Sequence, residues 1–147
     1  SHPICNELLN HFDSQWRHDV LVMDKWFALQ AMQTGDDAIA NIEALFEHPC
    51  FDFSNPNRVR ALVGSFSHFN TQHFHRADGL GYALLGDLLI KLNAINPQNA
   101  SRMLSPFMSW KRYDSQRAQA MKQQLERLAN LDGLSDDLFE KVEKALA

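Results

Sequence analysis

At 147 residues with 45% hydrophobic content, the chain is long enough to bury about two-thirds of its unfolded surface in a single domain. A formal charge of -4 and a pI near 5.9 give no overall drive toward nucleic acid or an anionic membrane. No stretch approaches the ~18 consecutive apolar residues of a membrane span, and no charged-then-apolar leader heads the chain.

Apolar residues recur at helical spacing nearly throughout, without the long alternation a strand would require. The expected fold is therefore all-α. Ile4, Leu8, Leu9 and Phe12 begin the pattern, and Trp16, Val20, Met23, Phe27 and Ala31 line one face of a second helix. Gly35 stops it before Asp36 and Asp37 start a third, with Ile39, Ile42, Leu45 and Phe46 inward. His48-Pro49 ends that helix, and Phe51 and Phe53 anchor the loop beyond.

Asn55-Pro56 opens a fourth helix with Val59, Leu62, Val63 and Phe66 inward. A long helix then spans Asp78 to Asn93, with Tyr82, Leu85, Leu88, Leu89 and Leu92 on its inner face. The Asn-Pro opening returns at Asn96-Pro97, followed by Ala100, Met103, Leu104 and Phe107. Asp114 caps the next helix, facing inward with Ala118, Met121, Leu125 and Leu128. After a turn at Asp132-Gly133, Ser135 caps the last, with Leu138, Val142 and Leu146 inside. The two Asn-Pro openings stand apart by a distance within the ~40–47-residue period of HEAT-type helical pairs. The reading is an α-α superhelix of HEAT-like antiparallel helix pairs, about seven or eight helices, forming one domain over residues 1–147.

Cys5 and Cys50 lack CxxC spacing and are read as reduced thiols, which points to a cytoplasmic protein. The start at Ser1-His2-Pro3, without an initiator methionine and already running into a helical pattern, suggests a cut piece of a longer polypeptide.

Arg58, Arg60, Gln98, Asn99, Arg102, Lys111 and Arg112 cluster near helix ends on two neighbouring repeats, where a concave surface would gather them. Guanidinium groups offer fixed, permanently charged donors to peptide carbonyls or a carboxylate, and an amide both donates and accepts. The competing reading makes them solvated, or pairs them with Asp78, Asp87 or Asp114. Gln98 and Arg102, four apart, share a helix face. His68, His73 and His75, with Asp78 as a fourth ligand, do not have the spacing of a zinc module and read as surface or capping residues. Gly79-Leu80-Gly81 has no preceding strand to make it a phosphate loop, so its glycines serve close helix packing. Lys111 to Arg127 is basic, but its interspersed acids and sparse aromatics argue against nucleic-acid binding. Trp16, Trp26 and Trp110 read as core or interdomain anchors.

Three segments, NPQNASRMLSPFMSWKRYDSQR from Asn96 to Arg117, FHRADGLGY from Phe74 to Tyr82 and LSDDLFEKVEKALA from Leu134 to Ala147, carry a family likeness. The chain resembles the C-terminal helical domain of bacterial aminopeptidase N, a zinc exopeptidase, clearly from Asn55 to Ala147 and more faintly before it. The resemblance implies a parent enzyme with an HExxH zinc-binding domain, whose glutamate is the general base, and a separate helical domain closing over the active site. This chain has no HExxH; His73-Phe74-His75 and Glu47-His48 do not supply it. No catalytic or metal-binding residue is therefore expected here, and zinc belongs to the parent's catalytic domain. On the motif match, Gln98 would border the pocket for the substrate's first side chain, Arg102 would face the peptide cavity one turn deeper, and Arg60 would lie on the same wall.

Two functions compete. The first is a closing domain that lines the substrate cavity and controls peptide access, with the other domains of the same polypeptide and the peptide as partners. Enclosure would exclude bulk water and strengthen fixed dipoles at the scissile carbonyl. The alternative is a free-standing HEAT-like module binding a protein or peptide in its concave face. An independent catalytic role has no triad, phosphate loop or metal set to support it.

Overall fold

The structure, a computed structural model, describes residues 20–147. Readings that fall on Ile4 to Phe12, Cys5 and Trp16 lie outside the described residues. The chain divides into two compact units, Ser1–Asn70 and Thr71–Ala147, and every described regular element is helical.

In the first unit, α1 (Val20–Ala31) and α2 (Ala38–Leu45) bury the expected Met23, Phe27, Ala31, Ile39 and Ile42 almost completely, whereas Leu45 and Phe46 at the end of α2 are only half-buried. The Asn55 side chain caps α3 (Pro56–Val59), accepting from the backbone N–H of Asn57 and Arg58 at 3.1 and 3.2 Å. The helix then widens into a π-helical turn, Arg60–Gly64, in which the Ser65 N–H reaches back five residues to the Arg60 carbonyl, before α4 (Ser65–Phe69) resumes. Val59, Leu62, Val63 and Phe66 are fully buried along this stretch, and α1 packs against the π turn. The Asn70 amide ends it by donating to the carbonyls of Ala31 and Gln33 at 2.9 and 3.0 Å, satisfying acceptors left over at the end of α1.

Phe27, Phe46, Phe51 and Phe53 form a chain of edge-on and tilted ring contacts, 4.8–5.6 Å between neighbouring centroids, so the loop after α2 is anchored as the sequence suggested. Cys50 in that loop is buried and disulfide-bonded, a correction to the expected reduced thiols: the absence of CxxC spacing says nothing about cysteines brought together by the fold. The cytoplasmic reading loses the support it drew from them.

The second unit begins with α5 (Thr71–Phe74) and the long α6 (Leu80–Ile95). The latter starts two residues later than expected because Gly79 adopts a left-handed conformation, φ 78°, while Asp78 Oδ1 accepts from the Leu80 N–H at 3.0 Å. Gly81 is a close-packing position as anticipated, since any Cβ there would run into the carbonyls of His73 and Phe74. Asn96 caps α7 (Pro97–Met103) by accepting from Asn99 N–H at 3.2 Å.

The single helix expected from Asn96 to Phe107 is instead α7 followed by a 3₁₀ segment, Ser105–Arg112. Pro106 has no N–H to continue the α ladder, and Phe107 bonds three residues back to Leu104 at 2.9 Å. Then come α8 (Ser115–Ala129), capped by Asp114, and α9 (Asp136–Leu146), capped by Ser135. Helix α6 packs on α7 and α8, and α9 on α7 and α8. Asn93 ties α6 to the Gly133 turn from both ends of its amide, donating to Gly133 O and accepting from Ser135 N, each at 3.0 Å.

Candidate functional site

Helix α7 carries the principal candidates. Its Asn96 cap and Pro97 fix where the helix begins, and Ala100, Met103 and Leu104 bury its inner face. Gln98 and Arg102 consequently share an outer face, both exposed, and neither makes a hydrogen bond or ion pair among the described residues. Arg60, the first residue of the π turn in the other unit, is likewise exposed and without an ion pair among the described residues.

The rest of the polar cluster separates. Arg58 is withdrawn from solvent, paired through Nε with Asp24 Oδ1 at 2.6 Å and donating from Nη1 to the Cys50 carbonyl; it also lies over the Phe27 ring at 5.5 Å. Asn99 is buried. The acids named as alternative partners have other mates, Arg76 with Asp78, Arg127 with Asp87 and Arg117 with Asp114. Trp110 donates from Nε1 to the Ala145 carbonyl at 2.9 Å, with Lys111 and Lys122 over its ring, which makes it an anchor for α9.

A second polar feature escaped the sequence. A cleft of about 490 Å³ is lined by Thr71, Gln72, His75, Tyr113, Asp114 and Arg117. His75 Nδ1 is hydrogen-bonded to Tyr82 OH at 2.7 Å, and its ring stacks on Tyr113 at 4.6 Å. Arg117 Nε donates to the His75 carbonyl at 2.7 Å. Burial, with help from the Arg117 charge, lowers the imidazole pKa, and burial pushes the Tyr82 phenol up to about 12. The Tyr82 hydroxyl is thus a neutral hydrogen-bonding group, and Arg117 is already neutralised by Asp114 at 3.0 Å. The arrangement pins α6 and α8 to the segment after α5. It offers no activated nucleophile or base. Its members come from three separate stretches of sequence, with no spacing signal to unite them.

With Nδ1 engaged by Tyr82 and Nε2 near Tyr113 OH at 3.3 Å, His75 is not arranged as a metal ligand. No group of three or more His, Cys, Asp or Glu among the described residues is placed to hold a metal ion. No helix among them is long and apolar enough to cross a membrane.

These elements define a helical repeat domain in which Gln98 and Arg102 share one exposed helix face. A family described as "Domain of unknown function (DUF3458_C) ARM repeats" matches residues 1–147, and the chain belongs to that family. ARM repeats are stacked helices of the α-α superhelix kind anticipated from the Asn-Pro periodicity. The chain is 51% identical over 144 residues to aminopeptidase N of Haemophilus influenzae, covering 97% of this chain and 17% of that protein. It is 44% identical over 145 residues to aminopeptidase N of Escherichia coli, with 99% and 17% covered. A crystal structure of Legionella pneumophila aminopeptidase A in complex with aspartic acid superposes with a TM-score of 0.83 at 35% identity, covering 95% of this chain and 16% of that one. The chain thus spans about a sixth of the length of these relatives, and its likeness is to their C-terminal helical domain.

Proposed function

We propose that this chain is the closing domain of a zinc aminopeptidase, which breaks no bond itself but completes the cavity in which the catalytic part of the same polypeptide holds its peptide. The parent removes N-terminal residues from peptides. Its zinc and general base are assigned to the parent's catalytic domain, because this chain carries no HExxH. The relatives named aminopeptidase N support the parent activity.

The observation that carries the cavity role is the exposed pair Gln98 and Arg102 on one face of α7, held by a capped and buried helix yet without internal partners among the described residues. In the proposed role, Gln98 borders the pocket for the first side chain and Arg102 offers its guanidinium to the peptide backbone or carboxylate, and Arg60 is a further residue proposed for the cavity. A desolvated guanidinium holding a peptide carbonyl strengthens binding and orientation without touching the reacting atoms.

The test is steady-state kinetics of the full-length enzyme on peptides differing in length and first residue. Arg102→Ala is expected to lower kcat/KM about 10-fold on peptides, ~1.4 kcal/mol, and Gln98→Ala to change the ranking of first residues. Unchanged kcat/KM across the panel for both variants overturns the cavity assignment.

A further inference from the structure

The first unit carries an apolar groove of about 580 Å³ lined by Lys25, Ala28 and Leu29 of α1 and Met32 just beyond its end, with Ser65 and Phe69 of α4. Its side chains are large and open to solvent: Leu29 is 64% and Phe69 70% exposed. Leu21, also exposed, extends the stripe along α1, since positions 21, 25, 28 and 32 return to one side of a helix. The opposite side of α1, with Met23 and Phe27, is already filled by the core. Helix α1 is therefore apolar on two sides while only one is covered among the described residues.

Contiguous apolar surface of this kind marks a contact site. The walls are two helices, and a groove between helices is the natural seat for the apolar face of a third. In ARM-type arrays each repeat buries its face against its neighbours, and most of the length of the relatives lies outside the matched region. Lys25 stands at the rim and makes no ion pair among the described residues. We propose that the groove seats an amphipathic helix from the part of the parent polypeptide outside residues 1–147, one presenting apolar side chains at i, i+3 or i+4 and i+7 and an acidic residue opposite Lys25. The proposal rests on the reading that the chain belongs to a longer polypeptide.

The test is site-specific photo-crosslinking in the full-length polypeptide, with p-benzoylphenylalanine incorporated in place of Leu29 and, separately, Phe69, and cross-linked peptides mapped by mass spectrometry. A mixture of isotopically light and heavy protein separates intramolecular from intermolecular products. The expected result is an intramolecular cross-link from both positions to one helical segment outside residues 1–147 that carries the stated pattern. Cross-links between light and heavy chains would assign the groove to self-association and overturn the proposal, as would the absence of any cross-link or capture of a segment lacking apolar spacing. The kinetics of Arg102→Ala and Gln98→Ala are read separately, so failure of the groove assignment and failure of the cavity assignment are distinguishable.

Discussion

Arg58 and Asp24, 34 positions apart in sequence, meet through Nε and Oδ1 at 2.6 Å with side chains only 6% and 15% exposed. The pair joins α3 to α1, and the same guanidinium bonds the Cys50 carbonyl. Removing Arg58 leaves the Asp24 carboxylate and the Cys50 carbonyl without their donor, and removing Asp24 leaves the withdrawn guanidinium without its counter-charge. Arg58→Ala is expected to destabilise the fold by ~3–5 kcal/mol, and Asp24→Ala to fall in the same range. Replacing both by apolar side chains, Arg58→Met with Asp24→Leu, is expected to recover much of the loss. Urea midpoints of the four proteins check this comparison.

Two glycines of α6 are expected to respond oppositely to alanine. At Gly81 a methyl meets the backbone of His73 and Phe74, which cannot yield without moving α5, so Gly81→Ala is expected to cost more than ~3 kcal/mol. At Gly86 the obstacle is the tip of the Gln124 side chain, which can rotate away. The helix propensity gained by Ala, about 1 kcal/mol, then offsets the lost contact between Gln124 and Arg127. Thermal unfolding of the two variants should show a large drop for the first and a small change for the second.

Stability should fall in two separate steps on acidification. The pKa values of His75 and His48 are lowered from 6.5, each chiefly by burial, so the folded state binds fewer protons than the unfolded one. Their stabilisation is fully present above 6.5 and is lost as pH drops from there through the folded values. Asp52, Asp78 and Asp114 are lowered from 3.8, in each case mainly by hydrogen bonds to the carboxylate, so their contribution is lost only below that value. Urea midpoints measured from pH 8 to pH 3 are expected to show both steps. His75→Gln should shrink the first and leave the second unchanged.

The paired caps offer a simpler measurement. Asn55→Ala and Asn96→Ala each remove a side-chain acceptor for helix N–H groups and are expected to cost about 1 kcal/mol apiece. The Asp replacements, which keep the acceptor, should recover most of it, as read from chemical unfolding.

These caps also indicate what could be read before any coordinates. Asn55, Asn96, Asp114 and Ser135 each accept a backbone N–H as anticipated, because capping is local chemistry over three or four residues. The inner faces of the helices were legible for the same reason: burial at helical period leaves its mark on composition. What depends on distant partners was not. Nothing near Arg58 announces Asp24, and nothing near His75 announces Tyr113 or Arg117. The break after Leu104 was visible in Pro106, yet the apolar spacing continued through it and concealed the change from α to 3₁₀ geometry. Of the site, the shared exposure of Gln98 and Arg102 followed from their spacing, whereas withdrawal of Arg58 and Asn99 from solvent did not.

The π turn at Arg60–Gly64 gives this stretch one residue of slack in its count. A π turn holds one residue more than the α turn it replaces, so deleting one residue between Arg60 and Gly64 would let the helix close into regular α geometry instead of breaking it. Everything beyond would then keep its present phase, because one wide turn is replaced by one regular turn. Phe66 would stay in the core and Phe69 in the groove, whereas the same deletion within regular α-helix would turn both by the ~100° that one residue contributes. For this stretch a single-codon deletion is thus a change of helix type and not of orientation, and related chains that differ here by one residue can still keep the same faces in register.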